Sequence, residues 1–145
     1  METCSLRIPT MRKDGSPYRR MAMGTCENNQ TTEYSYDTKG NLLTNKDARG
    51  YTSTYTYDER GNLLTVKDAL GQITRMTYDA RNNLKTIEDA LGKITTCAYD
   101  SDNRLLSLTN PQGQATTFTY NSDGLLLQET LPGGGVTTYT YQNGL

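Results

Sequence analysis

Histidine and tryptophan are absent from this chain, and phenylalanine occurs once. Without histidine there is no Ser-His-Asp or Cys-His arrangement, and the commonest metal ligand and proton shuttle is missing too. Cysteine stands only at Cys4, Cys26 and Cys97, with no CxxC pair. No P-loop, nucleotide-binding glycine pattern or HExxH stretch occurs. No apolar run is long enough for a signal peptide or a membrane span. Charge of either sign is scarcely in excess: 15 Lys and Arg stand against 16 Asp and Glu, a net of −1. That balance gives no electrostatic case for a nucleic-acid partner or an anionic membrane surface. Apolar residues make up 34%, a low share for 145 residues that would ordinarily build one domain around a core.

What the chain does contain is one unit repeated without change of length. Tyrosine recurs at Tyr36, Tyr57, Tyr78, Tyr99, Tyr120 and Tyr141, six times at a spacing of 21. A fixed period of this kind signals a stacked repeat, in which each unit touches only its neighbours and burial does not accumulate as in a globule. The stretch Tyr57 to Thr77, YDERGNLLTVKDALGQITRMT, is the clearest copy.

Two turn signals lie inside each unit. The first follows the tyrosine: Asp37, Asp58, Asp79 and Asp100 open it, and Gly40, Gly61, Asn82, Asn103 and Gly124 close it. The second opens at Asp47, Asp68, Asp89, Asn110 and Leu131 and closes at Gly50, Gly71, Gly92, Gly113 and Gly134. A type I turn wants Asp or Asn first, and a hairpin built on it places its fourth residue at positive φ as a bulge, where Gly and Asn fit best. Pro111 and Pro132 fall at the second position of their turns, where the proline ring supplies the φ already required.

Between turns lie segments of six or seven residues, the usual strand length. Twenty-four Thr and 11 Tyr supply side chains that suit a pleated surface, and no 3.6-residue apolar period appears. Two residues before each repeat tyrosine, from Tyr57 on, stands Tyr55, Met76, Cys97, Phe118 or Tyr139. Just after the first turn comes Leu42, Leu63, Leu84, Leu105 or Leu126, and three positions on Asn45, Val66, Ile87, Leu108 or Glu129. That three-residue offset predicts apolar side chains on both faces. The expected fold is all-β: about eleven strands in an antiparallel meander of tandem hairpins, curved by its bulges.

Residues 1–28 do not join the repeat. Their five basic and three acidic groups leave ten basic and thirteen acidic in the remainder, a net of −3. They read as a poorly ordered leader or a remnant of an upstream region. Residues 29–145 read as an open-ended array without capping units, a piece of something longer. Such a chain, with unpaired strands at its ends and an uncovered face, is expected to self-associate.

The units YDTKGNLLTNKDARG, YDERGNLLTVKDALGQIT and YDARNNLKTIEDALGKIT closely resemble the YD repeat of Rhs proteins, shared with the B and C components of bacterial Tc toxins and with teneurins. The resemblance covers residues 29–145. It weakens where Asn121 and Gln142 replace the Asp after Tyr, where Arg104 and Leu125 replace the Asn after the turn, and where Leu131 replaces the second Asp. It implies a β-spiral, a hollow shell of sheet that in the bacterial toxins encloses a C-terminal toxic domain. The implied partners are further YD repeats or an encapsulated toxin domain, with secreted or cell-surface delivery by a bacterium. Neither the family's autoproteolytic core region nor a toxin domain is recognisable, so the resemblance implies shell wall and no enzyme activity.

The remaining polar groups have simpler readings. Cys97 occupies a column filled elsewhere by Tyr55, Met76 and Phe118, which marks a packed thiol. A Cys4–Cys26 disulfide is left open, because spacing alone does not settle it. One Asp per turn supplies too few oxygen ligands for calcium, and like turns stand about 10 Å apart, so no metal or other cofactor is expected. Asn29-Gln30-Thr31 is a glycosylation sequon, meaningful only on a eukaryotic secretory route. The tyrosines and threonines could bind carbohydrate at a cell surface, the alternative to a wall; cross-strand pairing alone also accounts for them.

Overall fold

The computed structural model describes residues 31–142, together with the backbone of Leu6–Arg7 (β1) and Met23–Gly24 (β2). Strands β1 and β2 pair antiparallel, Leu6 opposite Gly24 and Arg7 opposite Met23. Nothing else of the non-repeat segment is described, so Cys4, Cys26 and Asn29 lie outside the described residues.

The repeat region folds into β3 (Glu33–Tyr36), β4 (Leu42–Lys46), β5 (Thr52–Tyr57), β6 (Leu63–Lys67), β7 (Ile73–Tyr78), β8 (Leu84–Glu88), β9 (Ile94–Tyr99), β10 (Leu105–Thr109), β11 (Ala115–Tyr120), β12 (Leu126–Thr130) and β13 (Val136–Thr138). These eleven strands lie in one antiparallel sheet in chain order, and no helix occurs among the described residues. The chain divides into two compact units, Met1–Thr74 and Arg75–Leu145, with the boundary inside β7.

In the first unit, Ser35 lies opposite Thr44, but the next register pair is Tyr36 with Leu42, so Leu43 is an extra residue on β4. The same slip recurs between β5 and β6, where Thr56 pairs with Thr65 and Tyr57 with Leu63. In the second unit it recurs at β7–β8, β9–β10 and β11–β12, leaving Lys85, Leu106 and Leu127 as the extra residues. A bulge of this kind sets two residues of one strand against one of its partner.

The bulge corrects the ground for expecting apolar residues on both faces, the three-residue offset of Leu and Val or Ile. Residues directly opposite on paired strands share a face. Tyr57 pairs with Leu63 and Tyr55 with Val66. Tyr78 likewise pairs with Leu84 and Met76 with Ile87. Leu and Val or Ile, three apart in sequence, therefore stand on the same face as the tyrosines, because the extra residue absorbs one step of the alternation. The other face carries cross-strand Ser and Thr pairs, along with Ile73 and Ile94, which alternate with the tyrosine-face residues of β7 and β9. Ser35 and Thr44 approach to 2.5 Å between hydroxyl oxygens, and Thr56 with Thr65 and Thr77 with Thr86 each to 2.6 Å.

Among the described residues, neither unit has an interior in the globular sense. Among the described residues none is buried, and the tyrosine-face columns are mostly half-exposed. Stability within each unit therefore rests on ladder hydrogen bonds, turn geometry and partial burial between neighbouring hairpins.

Candidate functional site

The chemically distinctive groups lie at the turns. The turns after Tyr36, Tyr57, Tyr78, Tyr99 and Tyr120 share one frame: the N–H of the first residue donates to the carbonyl of the fifth, and the N–H of the fourth donates back to the carbonyl of the first. For Asp58 these bonds are 2.9 Å to the Asn62 carbonyl and 3.1 Å from the Gly61 N–H. Gly61 sits at φ 89°, and the asparagines in its place at two other copies, Asn82 and Asn103, sit at 67° and 64°. Glycine closes the first turn at Gly40 and Gly124, and the second at Gly50, Gly71, Gly92, Gly113 and Gly134, always at positive φ.

The aspartate at the head of the turn is saturated with donors. Asp58 Oδ1 accepts the backbone N–H groups of Arg60 and Asn62 at 2.9 and 2.8 Å, and Oδ2 accepts Asn62 Nδ2 at 2.8 Å. Asp37 is held the same way by Lys39 and Asn41, and Asp79 by Arg81 and Asn83. The side-chain amide of the fifth residue is the main reason the carboxyls of Asp37, Asp58 and Asp79 lie below the usual carboxylate range, with the backbone N–H groups adding to it. Asp100 is lowered chiefly by the Arg104 backbone N–H and then by the Arg104 side chain.

Sequence reasoning named the first and fourth residues of the turn and assigned no role to the fifth. Its signal was present as the Asn that follows the turn glycine. Where that residue becomes Arg104, Nε donates to Asp100 Oδ2 at 2.6 Å, so the sealing bond survives the substitution. In the last copy both partners change together: Asn121 heads the turn and Leu125 has no side-chain donor. Asn121 Oδ1 still accepts the N–H groups of Asp123 and Leu125.

Successive first turns are also tied to each other within each unit. In the first unit, Lys39 Nζ donates to the Glu59 carbonyl at 2.6 Å. In the second, Arg81 Nη1 donates to the carbonyls of Asp100 and Ser101, and Asn83 Nδ2 to Asn103 Oδ1. Arg104 reaches the Asn121 carbonyl at 3.3 Å and lies over the Tyr120 ring, 5.2 Å from its centroid. Within each unit, neighbouring first turns are thus linked by different side chains over a step of 17 to 20 residues.

The repeat tyrosines face their own turn's leucine: Tyr36 pairs with Leu42, Tyr99 with Leu105 and Tyr120 with Leu126. Tyr120 Oη donates back to the Leu105 carbonyl at 2.9 Å and Tyr141 Oη to the Leu126 carbonyl at 2.8 Å. Partial burial raises the hydroxyl pKa of Tyr57 and of Tyr99, with the carboxylates of Asp37 and Asp79 respectively adding to the effect. Cys97 stands beside Tyr99 on this face, half-buried and opposite Leu108.

This arrangement organises turns. The charged oxygens are engaged by N–H donors, and among the described residues no group of three or more Cys, Asp and Glu converges as metal ligands would. No helix is long and apolar enough to cross a membrane, a statement that does not bear on β-barrels. Fold and turn chemistry together define a tandem β-hairpin repeat protein with a 21-residue unit.

The family model for the RHS repeat matches residues 36–73, 57–96, 78–115 and 99–135, and the chain belongs to the RHS repeat family. No curated protein matches it. Among solved structures, it is similar to the crystal structure of TcdB2-TccC3-Cdc42, with a TM-score of 0.61 and 22% identity over 73% of this chain and 6% of that one. It is also similar to the Tc holotoxin pore of Photorhabdus luminescens, with a TM-score of 0.59 and 23% identity over 70% of this chain and 5% of that one. The chain thus spans about a twentieth of the length of these structures. At this identity the likeness is one of fold.

Proposed function

We propose that this chain is a length of shell wall, a segment of YD-repeat sheet whose role is to enclose or scaffold a domain supplied by a longer polypeptide. The observation that carries the reading is that none of the described residues is buried although one face bears a repeated column of Tyr, Leu, Val and Ile. A sheet with no layer of its own against such a face supplies a surface for something else. Membership of the RHS repeat family supports this, as does the likeness to Tc toxin complexes of which the chain would form a small part. On this reading the role is structural and non-enzymatic, residues 29–145 are the repeat array, and the partners are further repeats or a toxin domain. Delivery would be that of a secreted bacterial toxin complex. The carbohydrate-binding alternative has less behind it, because the hydroxyls of Tyr120 and Tyr141 are already committed to backbone carbonyls.

An antibody raised against the Tyr57–Thr77 stretch, with peptide mapping of the band it recognises in the source cells, tests the reading. The expected result is these residues inside a polypeptide many times larger than 16.2 kDa. A product of that mass alone would contradict it.

A further inference from the structure

Among the turns that follow Tyr36, Tyr57, Tyr78, Tyr99 and Tyr120, the last differs from the others in two ways that bear on one peptide bond. In the first four, a side chain of the fifth residue closes on the head of the turn: Asn41 on Asp37, Asn62 on Asp58, Asn83 on Asp79 and Arg104 on Asp100. After Tyr120 the head is Asn121 and the fifth residue is Leu125, so this closing bond is missing. Gly124 is held by its own N–H on the Asn121 carbonyl at 3.0 Å, an acceptor that Arg104 Nη1 shares at 3.3 Å. A turn with fewer bonds opens more often than its neighbours.

The same turn reads Ser122-Asp123-Gly124. The third residue of the successive turns is Lys39, Arg60, Arg81, Asp102 and Asp123, and among the described residues Asp123 is the one Asp that precedes a Gly. Glycine has no Cβ to keep a neighbouring carboxyl away from its nitrogen. Asp102 supplies the internal comparison. It takes the same place one turn earlier, but its Oδ2 is held by Arg104 Nη2 at 3.1 Å and the residue after it, Asn103, carries a side chain. Asp123 is exposed, and among the described residues no cation reaches its carboxyl.

We infer that Asp123-Gly124 is a site of isoaspartate formation, a backbone modification that this turn admits and the turn at Asp102 does not. When the turn opens, the Gly124 nitrogen attacks Cγ of the protonated Asp123 carboxyl, a reaction within one molecule and between neighbouring groups. The N–Cγ bond forms, the Cγ–OH bond breaks, and the hydroxyl leaves with the amide proton as water, giving a cyclic succinimide. Water then adds to the main-chain carbonyl carbon of Asp123. The bond from that carbon to the Gly124 nitrogen breaks, and the nitrogen, still bound to Cγ, takes up the proton. Nothing is oxidised or reduced, and the mass of the chain is unchanged. The backbone now runs through Asp123 Cβ, one atom longer than before. The frame that closes through the Gly124 N–H cannot keep its length, and the hairpin of β11 and β12 loosens. The site lies within a repeat and does not rest on the shell reading, whose test is the size of the native polypeptide.

The full chain, kept folded at physiological temperature and neutral pH for several weeks, is digested with trypsin. Cleavage places Asp102 in Ile94–Arg104 and Asp123 in Leu105–Leu145, and electron-transfer fragmentation locates any isoaspartyl residue within each peptide. Isoaspartate should accumulate at Asp123 and stay at its starting level at Asp102. Its absence at Asp123, or equal accumulation at both, overturns the proposal. Asn121→Asp combined with Leu125→Asn restores the closing bond and leaves Asp123-Gly124 in place. A bond of ordinary strength makes opening roughly two- to tenfold rarer, and accumulation at Asp123 should slow by that factor. An unchanged rate in this double variant, with the β-sheet circular dichroism of the parent, overturns the role given to the missing bond.

Discussion

At the scale of single residues, the structure rests on a backbone requirement at the fourth turn position and a polar one at the first. A Cβ added at Gly61 would meet nothing closer than Asn41 Oδ1 at 3.7 Å, so space is not what selects glycine. The φ of 89° is. Gly61→Val is expected to destabilise its hairpin by about 1–3 kcal/mol through backbone strain, and thermal unfolding indistinguishable from the parent would remove the assignment. The aspartates make a separate expectation about pH. A carboxyl lowered in the folded chain stabilises it above the unfolded value of about 3.9, and the contribution disappears as pH falls through the lower folded value. Asp37, Asp58, Asp79 and Asp100 are all lowered, so stability should fall on acidification from about pH 5 downward. Asp58→Asn, the residue this chain already uses at Asn121, keeps an oxygen for the turn N–H groups and gives up the charge. Its melting temperature should be lower than the parent's at pH 7, with the gap narrowing toward pH 2. A gap of constant size would show that the charge of Asp58 has no part in the turn.

At the scale of the hairpin, the bulge decides which side chains meet. Deleting Lys85 would remove the extra residue between Leu84 and Thr86, so that either Leu84 or Ile87 must leave the tyrosine face. We expect the deletion to cost more stability than Lys85→Ala, and to abolish the cross-strand nuclear Overhauser contacts of Met76 with Ile87. Persistence of both Met76–Ile87 and Tyr78–Leu84 contacts would show that the register does not depend on the extra residue. This is also where the sequence stops being sufficient. The period of the tyrosines, the Asp and Gly of the turns and the alternation of Gly with Asn at position 61 and its equivalents are written locally, and they yield the strand number and the meander. The sharing of one face by Leu63 and Val66 is not local: a three-residue offset means opposite faces in a regular strand and the same face across a bulge, and only the pairing with β5 tells the two apart. The fifth turn residue is a similar case. Asn62 reads as a turn-flanking polar residue until its Nδ2 is seen on Asp58 Oδ2, and Arg104 looks like a loss until its Nε is found on Asp100.

At the scale of the molecule, the chain is stabilised hairpin by hairpin, with neighbouring first turns bonded to each other within each unit and no residue buried among those described. Repeat systems of this kind divide their stability into the units and the contacts between neighbours. The proposed role as shell wall rests on the same economy of contacts, since no described residue of the sheet is buried and its tyrosine face is available to a partner. Amide hydrogen exchange, resolved residue by residue by NMR, tests this most directly. The N–H groups of Asp37, Asp58, Asp79, Asp100 and Asn121, and those of the fourth turn residues Gly40, Gly61, Asn82, Asn103 and Gly124, are all hydrogen-bonded in the same way. The account predicts that protection rises and falls with a period of 21 residues along the array. Protection concentrated in one contiguous block, with the same turn positions elsewhere exchanging at the rate of an unfolded chain, would contradict it.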